Sequence, residues 1–174
     1  AAGEVVERPA SVVKELLENA LDAGARTITV TIEAAGRTLI RIADDGQGIA
    51  ASEVELAFAR HATSKLTVVD DLFRIQTLGF RGEALASIAS VSRVTALTRA
   101  AGETTGTQLR LEAGAVIERR SVGAPQGTVI SVEDLFYNVP ARLKFLKSDV
   151  SERGQIAALI TRYAIAYPRV RWKL

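Results

Sequence analysis

The clearest fold signal is in the stretch of residues 91–133, VSRVTALTRAAGETTGTQLRLEAGAVIERRSVGAPQGTVISVE. Runs of apolar and β-branched residues alternate in it with glycine-containing turns, a pattern typical of consecutive β-strands. The predicted strands are Val91–Arg99, Thr107–Glu112, Ala115–Val122 and Thr128–Glu133. Turns this short favour a meander-like sheet over alternating βαβ units.

Two further strand-like runs precede this stretch, and helical patterns lie on both sides of it. The runs are Thr27–Glu33 and Thr38–Asp45, joined by a turn around Gly36. Helices are predicted over Val12–Ala23, residues 52–60, Glu83–Ser90, part of Asp134–Lys147 and Val150–Tyr167, and Val170–Leu174 can start a last strand. Helices at both ends of a meander predict an α+β two-layer sandwich.

Composition indicates one globular domain spanning residues 1–174. The chain is 48% hydrophobic, which is enough for a substantial core. It contains no apolar run near the length of a membrane span, so we expect no membrane segment. With no cysteine, thiolate metal sites and disulfides are excluded. The chain also lacks methionine and starts within a pattern at Ala1, so we expect it to be a fragment of a longer protein.

The charge balance supports nucleic-acid binding only weakly. Lysine and arginine number 22 against 20 acidic residues, a net charge of +2. Basic residues do become more frequent toward the end, at Arg142, Lys144, Lys147, Arg169, Arg171 and Lys173. An ordinary solvated surface explains them, and a DNA-binding scaffold is the alternative.

The first motif is on the predicted N-terminal helix. Glu15 and Asn19 are four residues apart and therefore neighbours on one face. The residues of the polar face are Glu15, Glu18, Asn19 and Asp22, opposite an apolar stripe of Val13, Leu16, Leu17, Ala20 and Leu21. A solvated face is the simple interpretation. In the functional one, an amide oxygen helps to hold Mg²⁺ and Glu15 polarises a water for phosphoryl transfer. Spacing alone does not choose between Glu15 and Glu18.

The second and third motifs each contain two glycines. Asp44-Asp45-Gly46-Gln47-Gly48 ends an apolar strand. It is either a tight turn or a site where backbone approaches a flat ligand and a carboxylate accepts a hydrogen bond from an exocyclic amine. Gly79-Phe80-Arg81-Gly82-Glu83 precedes a helix and is either a turn or a phosphate cradle at a helix N-terminus. A Walker A sequence is absent.

The long connection between these motifs contains His61-Ala62-Thr63-Ser64-Lys65. His61 is the only histidine in the chain, so a multi-histidine metal site is excluded. The hydroxyls and the ammonium group that follow can contact phosphate, although a plain polar loop fits equally well. Long loops of this kind are often lids or binding loops.

Together these residues resemble the GHKL superfamily of ATPases, which includes gyrase B, Hsp90 and sensor histidine kinases. Within the superfamily the chain is similar to the bacterial DNA mismatch-repair members. Four runs carry this resemblance, namely Ala1–Pro9, His61–Lys65, Gly79–Leu85 and Asp134–Arg142. The resemblance spans the whole chain and implies the GHKL (Bergerat) fold, a mixed, mostly antiparallel sheet with helices on one face.

The resemblance also implies roles for individual residues, with ATP and Mg²⁺ as cofactors. Glu15 matches the general base, Asn19 the Mg²⁺ ligand and Asp44 the acid that binds the adenine amino group. The other nucleotide-binding positions it implies are Asp22, Gly46, Gly48, Thr63, Ser64, Lys65, Gly79, Phe80, Arg81, Gly82, Glu83, Ala84, Leu85 and Thr128. Asp45 stands where the family usually has asparagine, which puts one local hydrogen bond in doubt.

For the whole protein, the resemblance implies a slow ATPase that works as a dimeric clamp in mismatch repair. Its expected partners are a second copy of the chain on ATP binding, a mismatch-recognition protein, DNA, and a downstream nuclease or helicase. Its expected location is the bacterial cytoplasm, near the nucleoid. The family's N-terminal arm, second subdomain with its γ-phosphate lysine, and C-terminal region fall outside this sequence. The fragment alone is therefore expected to bind ATP weakly and to hydrolyse it poorly.

Overall fold

A computed structural model describes residues 6–60 and 83–174 of the chain. Five helices are present in these ranges, α1 (Pro9–Asp22), α2 (Val54–Ala57), α3 (Ala84–Ser90), α4 (Pro140–Phe145) and α5 (Asp149–Ala166). The strands are β1 (Thr27–Glu33), β2 (Leu39–Asp44), β3 (Arg93–Arg99), β4 (Gly106–Glu112), β5 (Ala115–Val122), β6 (Gly127–Glu133) and β7 (Arg171–Lys173). A short 3-10 turn, Ala34–Gly36, joins β1 to β2.

The seven strands form one sheet in the order β5-β4-β3-β6-β2-β1-β7. Neighbouring strands are antiparallel except β1 and β7, which pair in parallel at one edge. The predicted meander is present from β3 to β5, but β6 lies on the other side of β3, between β3 and β2. This crossover brings the start of β6 beside the end of β2.

One face of the sheet is buried beneath the helices. Alternate residues on each central strand point toward it, as the two-residue period of a strand requires. The buried apolar side chains on this face are Ile28, Val30, Ile40, Ile42, Val94, Ala96, Leu109, Leu111, Ile130 and Val132. Helix α1 contacts β2 and α5, and α3 contacts β4 and α1. The predicted two-layer sandwich with helices on one face is confirmed.

Helix α1 begins earlier than the periodicity predicted. It starts at Pro9 rather than near Val12, since proline at the first helical position has no N–H to leave unpaired. The apolar stripe on α1 faces the core as predicted, and Val12, Val13, Leu16, Leu17 and Ala20 are buried. The polar face of α1 therefore lies beside the end of β2.

No helix in residues 6–60 and 83–174 is long and apolar enough to cross a membrane. The same ranges hold no cluster of three histidine, cysteine, aspartate or glutamate side chains that could bind a metal ion.

Candidate nucleotide site

A pocket opens between α1 and the sheet, where β2 ends in the Asp44–Gly48 turn. Helix α1 lines one side, and β2 and β6 form the floor. The lining residues are Leu16, Asn19, Ala20, Ala23, Ile42, Asp44, Gln47, Gly48, Ile49, Thr128 and Ile130. Most of these side chains are apolar, so the few polar groups among them determine how a ligand is oriented.

Asp44 is the one carboxylate among the residues that line this pocket. Burial raises the pKa of its carboxyl from 3.8 to about 6, with a smaller contribution from the charge of Asp45. Backbone N–H groups of Gly46 and Thr128 oppose this rise, and the Gly46 N–H donates to Oδ1 at 2.8 Å. At neutral pH Asp44 is therefore mostly ionised and can accept a hydrogen bond from a bound amine.

A group of hydroxyls lies behind the pocket floor. Thr98 Oγ1 accepts a hydrogen bond from the Ile49 N–H at 2.9 Å and donates to the Gly127 carbonyl at 3.0 Å. Thr128 Oγ1 lies 2.9 Å from Thr98 Oγ1. Because the single hydroxyl hydrogen of Thr98 is given to Gly127, Thr128 donates to Thr98. The Thr128 oxygen therefore keeps lone pairs that can accept a hydrogen bond in the pocket.

The two glycines of the turn are required by close contacts within the protein. A Cβ on Gly48, whose φ is +71°, would lie 2.0 Å from the Arg99 carbonyl oxygen. A Cβ on Gly46 would lie 2.7 Å from the Ala23 carbonyl oxygen. These contacts within the protein are a separate reason for glycine at both positions, and the approach of backbone to a flat ligand stays a prediction. The space left by each missing Cβ is filled by neighbouring chain.

Asp45, the residue that differs from the family's usual asparagine, ties the turn to the start of β1. Its Oδ1 accepts from the N–H groups of Arg26 at 2.7 Å and Thr27 at 2.8 Å. Burial raises the pKa of Asp45, but the hydrogen bonds from Thr27 and Arg26 outweigh this effect and lower it. An asparagine oxygen can accept the same two bonds, so the aspartate preserves the local hydrogen bonding that the substitution put in doubt.

The polar face of α1 presents its residues to different partners. Asn19 lines the pocket. Glu18 does not line it. Its Oε1 accepts a hydrogen bond from the Tyr163 hydroxyl of α5 at 2.7 Å, and Lys14 Nζ lies 3.9 Å from the same oxygen. Asp22, at the exposed end of α1, is also outside the lining residues.

Neither Glu15 nor Glu18 is among the residues that line the pocket, but Glu15 lies nearer to Asn19 around the helix axis. At about 100° per residue, Glu15 is about 40° from Asn19, whereas Glu18 is about 100° from Asn19 on the far side of Glu15. The contact of Glu18 with α5 favours Glu15 as the base, and the assignment of Glu15 stays a prediction.

Part of the third motif lies at the start of α3. Glu83 precedes the helix, and its carbonyl accepts from the Ser87 N–H at 2.8 Å. Ala84 and Leu85 are buried and belong to the core side of the helix, and neither lines the pocket. Gly79, Phe80, Arg81 and Gly82, like Thr63, Ser64 and Lys65, lie outside the described residues. Their predicted phosphate contacts stay predictions.

Sequence reasoning missed several residues that build the site. Thr98 is the most important, and a signal for it exists. It follows Val94 and Ala96 at the two-residue spacing of an inward-facing row, so a hydroxyl on the buried face could be expected. Gln126 gives no such signal, although its Nε2 donates to the Gly46 carbonyl at 3.1 Å.

A family model, described as histidine kinase-, DNA gyrase B-, and HSP90-like ATPase, matches residues 7–135. The match contains α1, the Asp44–Gly48 turn and Thr128, and so includes the polar groups of the pocket. The chain belongs to this ATPase family. The GHKL fold predicted from the sequence is thus confirmed.

Individual relatives point to one branch of the family. The DNA mismatch repair protein MutL of Koribacter versatilis (strain Ellin345) is 58% identical over 174 residues, which is 100% of this chain and 27% of that protein. The MutL of Geobacter sulfurreducens is 58% identical over 172 residues, 99% of this chain and 28% of that protein. The chain therefore spans about a quarter of the length of these curated relatives.

A solved structure gives the same assignment. The Aquifex aeolicus MutL ATPase domain complexed with ADP superposes with a TM-score of 0.77 at 38% identity, over 97% of this chain and 59% of that chain. The predicted resemblance to the ATPase region of a bacterial MutL is confirmed.

Proposed function

We propose that this GHKL chain binds ATP in the pocket beside α1 and, in the full-length protein, hydrolyses it slowly. One observation supports this most directly. The single carboxylate of a mainly apolar pocket, Asp44, stands at its floor beside the Thr128 hydroxyl, an arrangement suited to the amino edge of adenine. The related Aquifex aeolicus domain was solved with ADP. Residues 1–174 form one ATPase domain in this proposal.

The residues present fit a magnesium ion held mainly by the nucleotide. Asn19 brings an amide oxygen to the pocket, and the described ranges contain no acidic cluster that could bind a metal by itself. Mg²⁺ commonly takes one or two protein oxygens together with phosphates and waters. Asn19 would hold the ion, which neutralises phosphate charge when bound.

Glu15 is proposed as the general base. It is adjacent to Asn19 around α1, so Glu15 and Asn19 would face the same bound nucleotide. Its carboxylate would accept a proton from that water as the water attacks the γ-phosphate. Asp22, Gly46, Gly48, the lid residues Thr63, Ser64 and Lys65, and the phosphate loop Gly79–Leu85 complete the proposed nucleotide contacts.

For the full-length protein we propose the role of MutL in mismatch repair. ATP binding would close a homodimeric clamp by ordering loops around the nucleotide. The closed clamp would hold DNA and couple the mismatch-recognition protein MutS to a downstream nuclease or helicase that removes the strand. The proposed location is the bacterial cytoplasm. The curated relatives are named DNA mismatch repair proteins, which supports a role in that pathway.

Two measurements on the full-length protein test the proposal. Calorimetric titration of the protein with ATP, with and without Mg²⁺, is expected to show the heat of ATP binding in the pocket. Absence of binding heat under both conditions would favour the DNA-binding scaffold with a vestigial pocket instead.

Turnover of matched variants tests the base. Glu15→Ala is expected to keep ATP binding and to abolish turnover, whereas Asn19→Ala weakens binding itself. Glu18→Ala is the control, because Glu18 occupies the same helix but is held by Tyr163. If Glu15→Ala kept wild-type turnover, the assignment of Glu15 would be wrong.

A further inference from the structure

The contact between α1 and α5 includes a hydrogen bond from a tyrosine to a glutamate. Tyr163 donates its hydroxyl to Glu18 Oε1 at 2.7 Å, although the two residues are 145 positions apart in the chain. The Tyr163 ring also stacks on Tyr167, with centroids 6.2 Å apart and an interplanar angle of 10°. The hydroxyl is thus aimed by a fixed ring on one helix at one carboxylate of the other.

The hydroxyl remains a hydrogen-bond donor throughout the neutral range. Burial raises the pKa of Tyr163 strongly, and the hydrogen bond to Glu18 and the charge of Glu18 raise it further. Tyr167 and Glu15 add smaller effects of the same sign. The negative charge of Glu15 is therefore also felt at the Tyr163 hydroxyl.

Glu15 and Glu18 are three residues apart, so their carboxylates are neighbours on the helix surface. Two like charges at this spacing repel, and a second carboxylate near Asn19 would compete for a bound cation or for the attacking water. The Tyr163 hydrogen bond holds Glu18 toward α5, on the side of Glu15 that is away from Asn19.

We propose that Tyr163 is a positioning residue for hydrolysis, which holds Glu18 on α5 so that Glu15 is the glutamate that serves Asn19. The inference rests on the proposed function, because it concerns the choice of base at that same site. Tyr163 contacts neither nucleotide nor water in this scheme and acts through Glu18.

The test uses steady-state turnover of the full-length protein and five variants. Tyr163→Phe keeps the stacked ring and removes the donor. Its kcat is expected to fall by about tenfold, because the released Glu18 carboxylate would compete with Glu15 for the attacking water. The KM for ATP is expected to stay within about twofold, since the adenine contacts are untouched.

The double variant Tyr163→Phe/Glu18→Ala provides the decisive readout. With the competing carboxylate removed, kcat is expected to return to within about twofold of the wild-type value. A merely structural role for Tyr163 in the α1–α5 contact predicts the opposite, a further loss in the double variant. That outcome would overturn the proposal.

Two single variants serve as controls. Tyr167→Phe removes the same group from the stacked partner ring and is expected to leave kcat unchanged. Glu18→Gln keeps an oxygen for the Tyr163 hydroxyl, removes the charge and is expected to turn over like wild type. If Tyr163→Phe failed to fold, a large loss of kcat in Glu18→Gln would still contradict the proposal. Wild-type kcat in Tyr163→Phe, with turnover abolished in Glu15→Ala, would refute this inference and leave the proposed function standing.

Discussion

Asp44 of β2 and Thr128 of β6 are directly paired across the sheet, and Thr128 is in turn paired with Thr98 of β3. Three strands therefore place a carboxylate and two hydroxyls in one row beneath the pocket. The carboxylate and the Thr128 hydroxyl line the pocket, while the side chain of Thr98 is 1% exposed and supports the row from behind. The register of β6 between β2 and β3 creates this row.

Asp44→Asn is expected to weaken ADP binding. The Gly46 N–H already donates to Asp44 Oδ1, so an asparagine keeps its oxygen there and turns its NH₂ toward the ligand's amine. Two donors then face each other, which costs about 1–3 kcal/mol. Calorimetry on the full-length protein measures the effect.

The matched control for that variant is the neighbouring change Asp45→Asn. Its oxygen can still accept from Arg26 and Thr27, so the affinity for ADP is expected to stay near wild type. Equal losses in the two variants would show that the general charge of the turn, rather than Asp44, determines binding.

Nucleotide affinity is expected to depend on pH through Asp44. The pKa of about 6 means that the carboxyl becomes protonated as the pH falls below that value. If binding requires the ionised form, the Kd for ADP rises by up to about tenfold per pH unit below pH 6 and is flat above pH 7. Calorimetry from pH 5 to pH 8 measures this dependence. In Asp44→Asn the rise in Kd below pH 6 is expected to be absent, and a rise that remained would have to come from another group.

The raised pKa of Asp44 also makes the free energy of unfolding depend on pH. Folding favours the protonated carboxyl, whereas nucleotide binding is expected to favour the ionised one. The folded chain binds the Asp44 proton more tightly than the unfolded chain does, because burial raises the pKa of the carboxyl above 3.8. The free energy of unfolding contributed by this residue therefore decreases as the pH rises from 3.8 to about 6. Urea denaturation of the wild type and Asp44→Asn across this range measures the difference.

Thr98→Val is expected to destabilise the chain by about 1–3 kcal/mol, since the buried Ile49 N–H and Gly127 carbonyl both lose their partner. Valine keeps the shape of the side chain, so packing changes little. Thr95→Val is the control on the opposite face of β3, and a change within about 0.5 kcal/mol is expected there. Urea denaturation that found the two variants equally stable would contradict the proposed support from Thr98.

Gly48→Ala is expected to prevent stable folding, with a loss of at least about 3 kcal/mol. The added Cβ would lie 2.0 Å from the Arg99 carbonyl oxygen, on a residue that also has a φ of +71°. Gly123→Ala is the matched control, because a Cβ there has no atom within 4 Å. Circular dichroism and thermal melting compare the secondary structure and the melting temperature of the two variants. A Gly48→Ala protein that melts like Gly123→Ala would refute the close contact.

Most elements could be predicted from local pattern alone. The two-residue alternation in Thr27–Glu33 and the apolar stripe of α1 each have one structural solution, because a strand or helix in any other register would expose its apolar side chains. The position of β6 could not be predicted in this way. It depends on pairing between residues far apart in the chain, such as Ile42 with Ile130, which no local pattern records.

The same distinction between local pattern and long-range contact applies to the candidate site. Local pattern was enough to place Glu15, Glu18 and Asn19 on one polar face and an acid and two glycines at the end of a strand, since these follow from the helical period and from adjacency in the chain. The folded chain was needed to show that Tyr163 holds Glu18, that Thr98 supports Thr128, and that Gly48 lies against Arg99. Each of these depends on a contact between segments whose distance in space is set by the sheet order and by helix packing.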